Sequence, residues 1–428
     1  MRHILPARLR TPLTPTAVLA VALTLSLAGC PKPGTTATRV PRPGGVTRLT
    51  MEPIMIVAHR TGGRYSSEAF SAEEIFRQGL ASQKKGRCKA ALAAYAKLLK
   101  HFGSSVYGPP THYNAALCWQ RLQKWDRAGR HFEASARGVK NPAEQLQALG
   151  AAGVNYAEAK RWADSQRCFA ALLARSDLKV HQRIEAHARL AFAWFESGNN
   201  SRTRHNVDAA LALYRKSRAT VRLPSLHYVA MAAYYKAAIY HRLTTQTPIR
   251  LPVEQMQQDV ETMATWMYKA QKAYWHAVSY KNHFWAMAAT YQVGTLYREF
   301  RRALMGAPLP RFTGVRYFDK TLKRYETITA AEQRAAYFTE LRTKTRVLLR
   351  HAMVVYQKGI STSERIGAQN KWVKTMRTAL ATVQRDYAAD PKRTDAPTAG
   401  PQKQTPTRSP LVPRILDPKK YHPSAVGI

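Results

Sequence analysis

The sequence predicts an all-α solenoid of stacked helix hairpins, preceded by an export signal and tether and followed by a disordered tail. Three observations carry this. Four columns of residues recur at an interval of 37: Cys88, Trp125 and Trp162; Tyr95, Phe132 and Phe169; Ser82, Trp119 and Tyr156; Ala91, Ala128 and Ser165. Within each interval, small and large apolar residues alternate at helical spacing. Ala, Leu, Arg, Lys and Gln dominate the middle of the chain, which favours helix over strand.

Residues 1–29 follow the design of an export signal. Arg2, Arg8 and Arg10 make a basic start, and Ala17 to Ala28 form an apolar run of 12 residues. That run falls short of the roughly 20 residues a spanning helix needs. It ends in Leu27-Ala28-Gly29-Cys30, which resembles the lipobox of bacterial lipoproteins. The resemblance implies cleavage before Cys30 and acylation of its thiol and new amino group. Each buried CH₂ then contributes about 0.8 kcal/mol, so several acyl chains make a durable membrane anchor. Pro31 stands where an aspartate would favour the inner membrane, which implies the periplasmic face of the outer membrane. Residues 30–50, rich in Pro, Gly and Thr, read as a flexible tether.

Residues 70–245 hold the repeats, each read as two helices. Ala116, Gly153 and Ala128 fall where helices must approach closely, and Trp119, Tyr156, Phe132 and Phe169 fill the space beside them. The stretch Tyr113-Asn114-Ala115-Ala116-Leu117-Cys118-Trp119, followed by Trp125-Asp126-Arg127-Ala128, resembles the tetratricopeptide repeat. That family's interval is about 34, and the surplus is assigned to loops such as Gly103–Pro110. A fourth unit keeps Leu190, Ala191 and Trp194 and reaches Ala210 and Tyr214 after an insertion around Asn199–Val207. A fifth, from Leu226 to Leu243, is degenerate. The resemblance implies a concave surface lined by the first helix of each pair, able to hold a peptide or helix. Its contact positions here are Tyr113, Leu117, Gln120, Arg121, Val154, Phe192 and Phe195. For Val154, Phe192 and Phe195, packing against neighbouring helices is an equal alternative.

Residues 251–387 extend the solenoid. Trp266, Tyr268, Tyr274, Trp275, Tyr280, Phe284 and Trp285 lie among helix formers, and Pro308 and Pro310 end that stretch. Further helices are expected from about Ala330 to Lys358 and from Ile366 to Tyr387. The runs Lys269–Tyr274, Phe284–Ala286, Tyr291–Phe300 and Asn370–Trp372 resemble the carboxy-terminal half of large periplasmic repeat proteins of myxobacteria and relatives. Residues 388–428, rich in Pro, Thr and Lys, are expected to be disordered.

Lys and Arg number 67 against 26 acidic residues, a net charge of +41, of which +30 falls on residues 51–388. Such a field attracts acidic proteins, anionic lipids, cell-wall polymers or nucleic acid, and the export signal argues against the last. With Cys30 acylated, Cys88, Cys118 and Cys168 remain, as buried thiols or with a Cys88–Cys118 bridge. No zinc-type, phosphate-cradling or nucleophile motif occurs, and no cofactor is indicated. The expected function is a lipid-anchored periplasmic scaffold for envelope proteins. Electrostatic binding of an anionic envelope polymer or lipid surface is the alternative, and a cell-wall-modifying enzyme the third.

Overall fold

The computed structural model describes residues 54–61, 64–319 and 323–390. Cys30, the export signal, the tether and the chain from 391 onward lie outside the described residues. The chain divides at Glu74 into two compact units. The first contains an antiparallel hairpin of β1 (Ile54–Thr61) and β2 (Arg64–Ser71), with Ile54 opposite Ser71.

Thirteen helices follow among the described residues. Four hairpins come first: α1 (Ala72–Lys84, which crosses the division) with α2 (Cys88–Phe102), α3 (Gly108–Arg121) with α4 (Trp125–Gly138), α5 (Pro142–Glu158) with α6 (Trp162–Leu173), and α7 (Val180–Glu196) with α8 (Asn200–Ser217). The stack continues through α9 (His227–Gln246), α10 (Val253–Ser279), α11 (His283–Met305), α12 (Ala330–Arg365) and α13 (Lys371–Ala389). The all-α reading holds for the solenoid. A second hairpin, β3 (Val315–Asp319) with β4 (Arg324–Ile328), interrupts it between α11 and α12. Neither hairpin was expected. Both pairs of strands are short, and apolar and polar residues do not alternate cleanly along them.

Two of the four columns, the rings and the small residues, form the interior, while Trp119, Trp125 and Trp162 of the other two are half-buried. Tyr95, Phe132 and Phe169 are at most 2% exposed, and each ring lies on its hairpin partner at Gly79, Ala116 or Gly153. The turns share the same register. Gly86, Gln123 and Lys160, again 37 apart, and then Gly198 hold the left-handed conformation, with φ of 76°, 57°, 59° and 88°. The next residue's N–H then closes on a carbonyl five positions back: Arg87 on Ser82, Lys124 on Trp119, Arg161 on Tyr156 and Asn199 on Trp194, at 2.8–2.9 Å. Gly86 and Gly198 take this conformation without steric cost, whereas Gln123 and Lys160 hold it despite a Cβ.

Two expectations are corrected. The interval of 37 does not come from loops alone: α5 and α7 have 17 residues against 14 in α3, an added turn at the start of the helix. The fourth unit contains no insertion either. The register has already moved by one residue at Ala191 and Trp194, so buried Thr203 and Val207 take the Ala and ring columns in place of Ala210 and Tyr214. Thr and Val carry neither the small apolar nor the aromatic signature, which is why the columns seemed to break.

Cys88, Cys118 and Cys168 are buried free thiols. Burial pushes Cys118 and Cys168 up to about 12, which leaves little thiolate at neutral pH. At the far end, α13 buries Trp372, Val373, Met376 and Val383 against the stack. Its other face carries Thr378, Ala381, Thr382, Gln384, Arg385 and Ala388, and behind it Arg301 Nη2 donates to both carboxylate oxygens of Asp390, at 2.8 and 2.6 Å.

The packing of small residues against rings makes a paired prediction within one helix. A Cβ at Gly153 would meet the Phe169 ring at 2.8 Å, whereas one at Gly150 meets only Leu172 Cδ1, at 3.8 Å. Gly150→Ala should stabilise by about 0.5–1 kcal/mol through helix propensity. Gly153→Ala should cost about 1–3 kcal/mol despite the same gain. Urea unfolding of the two variants checks this, and equal stabilisation by both would contradict the close approach.

Candidate functional site

The odd-numbered helices α5, α7, α9, α11 and α13 touch one another in succession. They are the first helices of the pairs, the layer that the resemblance to the repeat implies as the inner wall, and many of their contacts are between rings. Phe192 on α7 lies 5.4 Å from Tyr235 on α9, and Tyr235 lies 6.0 Å from Trp285 on α11. His227 follows at 5.7 Å from Trp285, and Phe284 at 6.2 Å from His227. Trp372 on α13 lies 6.2 Å from Phe284 and 5.6 Å from Tyr291. Tyr235, Trp285 and Trp372 are buried, while Phe192, His227, Phe284 and Tyr291 remain half-buried along the strip.

The seven residues expected on the concave face fall into two groups. Tyr113 and Leu117 are half-buried and pack on the Phe132–Tyr156 cluster, with the Tyr113 ring edge-on to Phe132 at 5.2 Å. The Tyr113 hydroxyl accepts from Gln147 Nε2 at 2.9 Å, linking α3 to α5. Gln120 is half-buried and Arg121 exposed. Val154 packs on the cluster of Phe169, Leu172, Ala186 and Leu190. The structure brings Phe192 and Phe195 together over Tyr235, each ring at 5.4 Å. Arg242 lies over Phe195 at 3.5 Å and donates to the Phe195 carbonyl at 2.9 Å and to Asn200 Oδ1 at 3.1 Å.

Charged groups missed by sequence reasoning border this strip. Glu196 is exposed to solvent. Desolvation nevertheless pushes its carboxyl above the usual carboxylate range, with Arg242 and Lys160 pulling the other way. Lys371 is lowered by desolvation and favoured by the charge of Glu158, and its Nζ lies 4.9 Å from Trp372 and 5.7 Å from Phe284. Arg189 bonds Glu185 at 2.7 Å and the Tyr228 hydroxyl at 2.6 Å, so it is held in place between α7 and α9. These groups meet from helices far apart in sequence, and no spacing in the chain announces them.

A second cluster has the outline of a relay. His241 Nε2 lies 2.7 Å from Glu299, and His241 Nδ1 lies 3.1 Å from the Tyr274 hydroxyl. Tyr274 is 1% exposed, so its hydroxyl cannot meet a substrate, and the trio ties α9, α10 and α11 together. Among the described residues, no group of three or more His, Cys, Asp or Glu could hold a metal ion.

No protein-family model and no curated protein matches this chain. Distant likenesses exist among solved structures. A tetratricopeptide repeat protein from Parabacteroides merdae is 13% identical, covering 73% of this chain and 98% of its own, with a TM-score of 0.33. The apo form of RapI is 8% identical, covering 74% and 98%, with a TM-score of 0.35. A TPR repeats protein from Bacteroides fragilis is 14% identical, covering 54% and 97%, with a TM-score of 0.29. Scores this low carry no argument about function.

His227 supplies a prediction for pH. Desolvation, aided by Arg189, lowers it to about 4. Its Nε2 accepts the Trp285 indole N–H at 3.2 Å, which requires the neutral ring. The unfolded chain takes up this proton near pH 6.5, well above the folded value. The stabilisation is therefore complete above about pH 6.5 and is lost as pH falls toward 4. The unfolding midpoint should fall across that window, less so in His227→Gln. A His227 midpoint above 6 in an NMR titration would contradict this environment.

Proposed function

We propose that the chain is a lipid-anchored scaffold of the cell envelope whose inner wall, from α7 to α13, holds a segment of a partner protein. The observation that carries this is Glu196: a solvent-accessible carboxylate crowded by protein, beside a strip of half-buried rings. A partner segment with apolar side chains has Phe192, Phe284 and Tyr291 to pack on. A Lys or Arg on the same segment would relieve the cost of holding Glu196 ionised in crowded surroundings. Aromatic anchors surrounded by charged groups are how protein-binding surfaces concentrate affinity.

The sequence supports the envelope assignment. The basic start, apolar run and Cys30 box together favour acylation and placement at the periplasmic face of the outer membrane. The resemblance of the second half to periplasmic repeat proteins points to the same compartment.

Two experiments test the two parts separately. Cys30→Ser should abolish incorporation of labelled palmitate and move the chain from the membrane to the soluble fraction; unchanged labelling would remove the anchor. A photo-crosslinking side chain at Tyr291 of the full chain, in its own cells, should give one discrete adduct, and the same probe at exposed Ala212 on α8 none. Glu196→Gln should abolish that adduct and raise the unfolding midpoint, because it removes a carboxylate ionised at a cost. Loss of both adduct and stability would make Glu196 a structural residue and defeat the reading.

A further inference from the structure

No acidic residue occurs between Glu74 and Asp126, although nine Lys and Arg do. This stretch is α1 beyond its first turn, α2, α3 and their turns, the first end of the solenoid. The next units are built differently. There Arg130, Arg137, Arg167 and Arg189 are engaged by Asp126, Glu133 and Glu185 at 2.6–2.9 Å. At the first end, Lys84, Lys85, Arg87, Lys89 and Lys100 are exposed, and that stretch supplies no carboxylate to neutralise them.

The shape of this surface narrows the partner. Lys89, Ala93, Ala96 and Lys100 follow one another at helical spacing and are all exposed, so the outer face of α2 is lysine and alanine. Beyond its end, Val106 is 77% exposed. Lysine is depleted from protein–protein interfaces, and alanine offers them little anchoring area. Clusters of Lys and Arg beside a small apolar contact are instead what an anionic lipid surface attracts. Lipid anchoring at Cys30, proposed above, is what makes a bilayer the partner of choice, because the tether keeps this end of the solenoid at high local concentration near it.

We infer that the α1–α2 turn and the outer face of α2 form a docking surface for anionic phospholipid headgroups. The acyl chains hold the protein to the bilayer, and this face sets its orientation, leaving the inner wall open to partners.

The test uses the mature chain from position 30 with Cys30→Ser, so that no acyl chain contributes to binding. Co-sedimentation is measured with vesicles of equal parts phosphatidylglycerol and phosphatidylcholine, and with phosphatidylcholine alone. The unaltered face should bind the anionic vesicles only, and less at high salt. The combined variant Lys84→Gln, Lys85→Gln, Arg87→Gln and Lys89→Gln should weaken binding by more than about tenfold. A control removing equal charge elsewhere, Arg215→Gln, Lys216→Gln, Arg218→Gln and Arg222→Gln, should weaken it by less than about threefold. Equal loss in both variants would reduce the effect to net charge and overturn the assignment. So would undiminished binding in the first variant, or a soluble polyphosphate binding as tightly as the vesicles. Circular dichroism of both variants confirms that the fold persists, since all eight side chains are exposed. Palmitate labelling reads the anchor separately, so failure here does not touch that result.

Discussion

The solenoid depends on one close approach repeated along the chain: a ring pressed onto a residue with little or no side chain. Tyr95 on Gly79, Phe169 on Gly153 and Tyr356 on Gly294 are the tightest cases, each leaving no room for a Cβ. A helix pair has no second layer of its own, so an apolar face must be covered by the next pair. Where the small residue grows or the ring shrinks, the distance between helices changes. In the fourth hairpin Ala191 and Val207 stand at the two positions, both fully buried.

The inner wall differs from the hairpin interiors in being polar at its edges. Within the stack, buried hydroxyls are held by neighbouring side chains, as Tyr95 donates to Gln83 inside the first hairpin at 2.6 Å and Tyr156 donates to Glu133 of the preceding hairpin at 2.8 Å. Along the inner wall, rings from α7 to α13 meet edge to face or tilted, and Glu196, Arg242 and Lys371 border them. Glu133 has Arg167 and Arg137 to hold it at about 2. Glu196, crowded but without a bonded guanidinium, stands above its ordinary range. The two carboxylates differ in whether the chain itself supplies a bonded guanidinium.

The columns made the first three hairpins legible, because burial of one face imposes the same residue size at each recurrence. Cys88 to Trp162 and Tyr95 to Phe169 could be read directly. Thr203 and Val207 could not, since a one-residue shift coincided with a change of residue type. The short strands gave no comparable pattern. Of the inner wall, Phe192 and Phe195 were legible through the repeat's known geometry. Glu196, His227 and Lys371 were not, because their surroundings are assembled from helices separated by up to some two hundred residues. Arg242, for instance, reaches back to the carbonyl of Phe195.

The last helix has a consequence for assembly. A stack of like hairpins offers at its end the same kind of surface that each hairpin used to bind the one before, so an uncovered end invites another molecule to add on, and then another. The threonines, Gln384 and Arg385 on the outer side of α13 withdraw that invitation. They give an incoming helix no ring to pack against. A last helix with a polar outer side is a poor template for a further copy, so end-to-end growth of the stack is discouraged there.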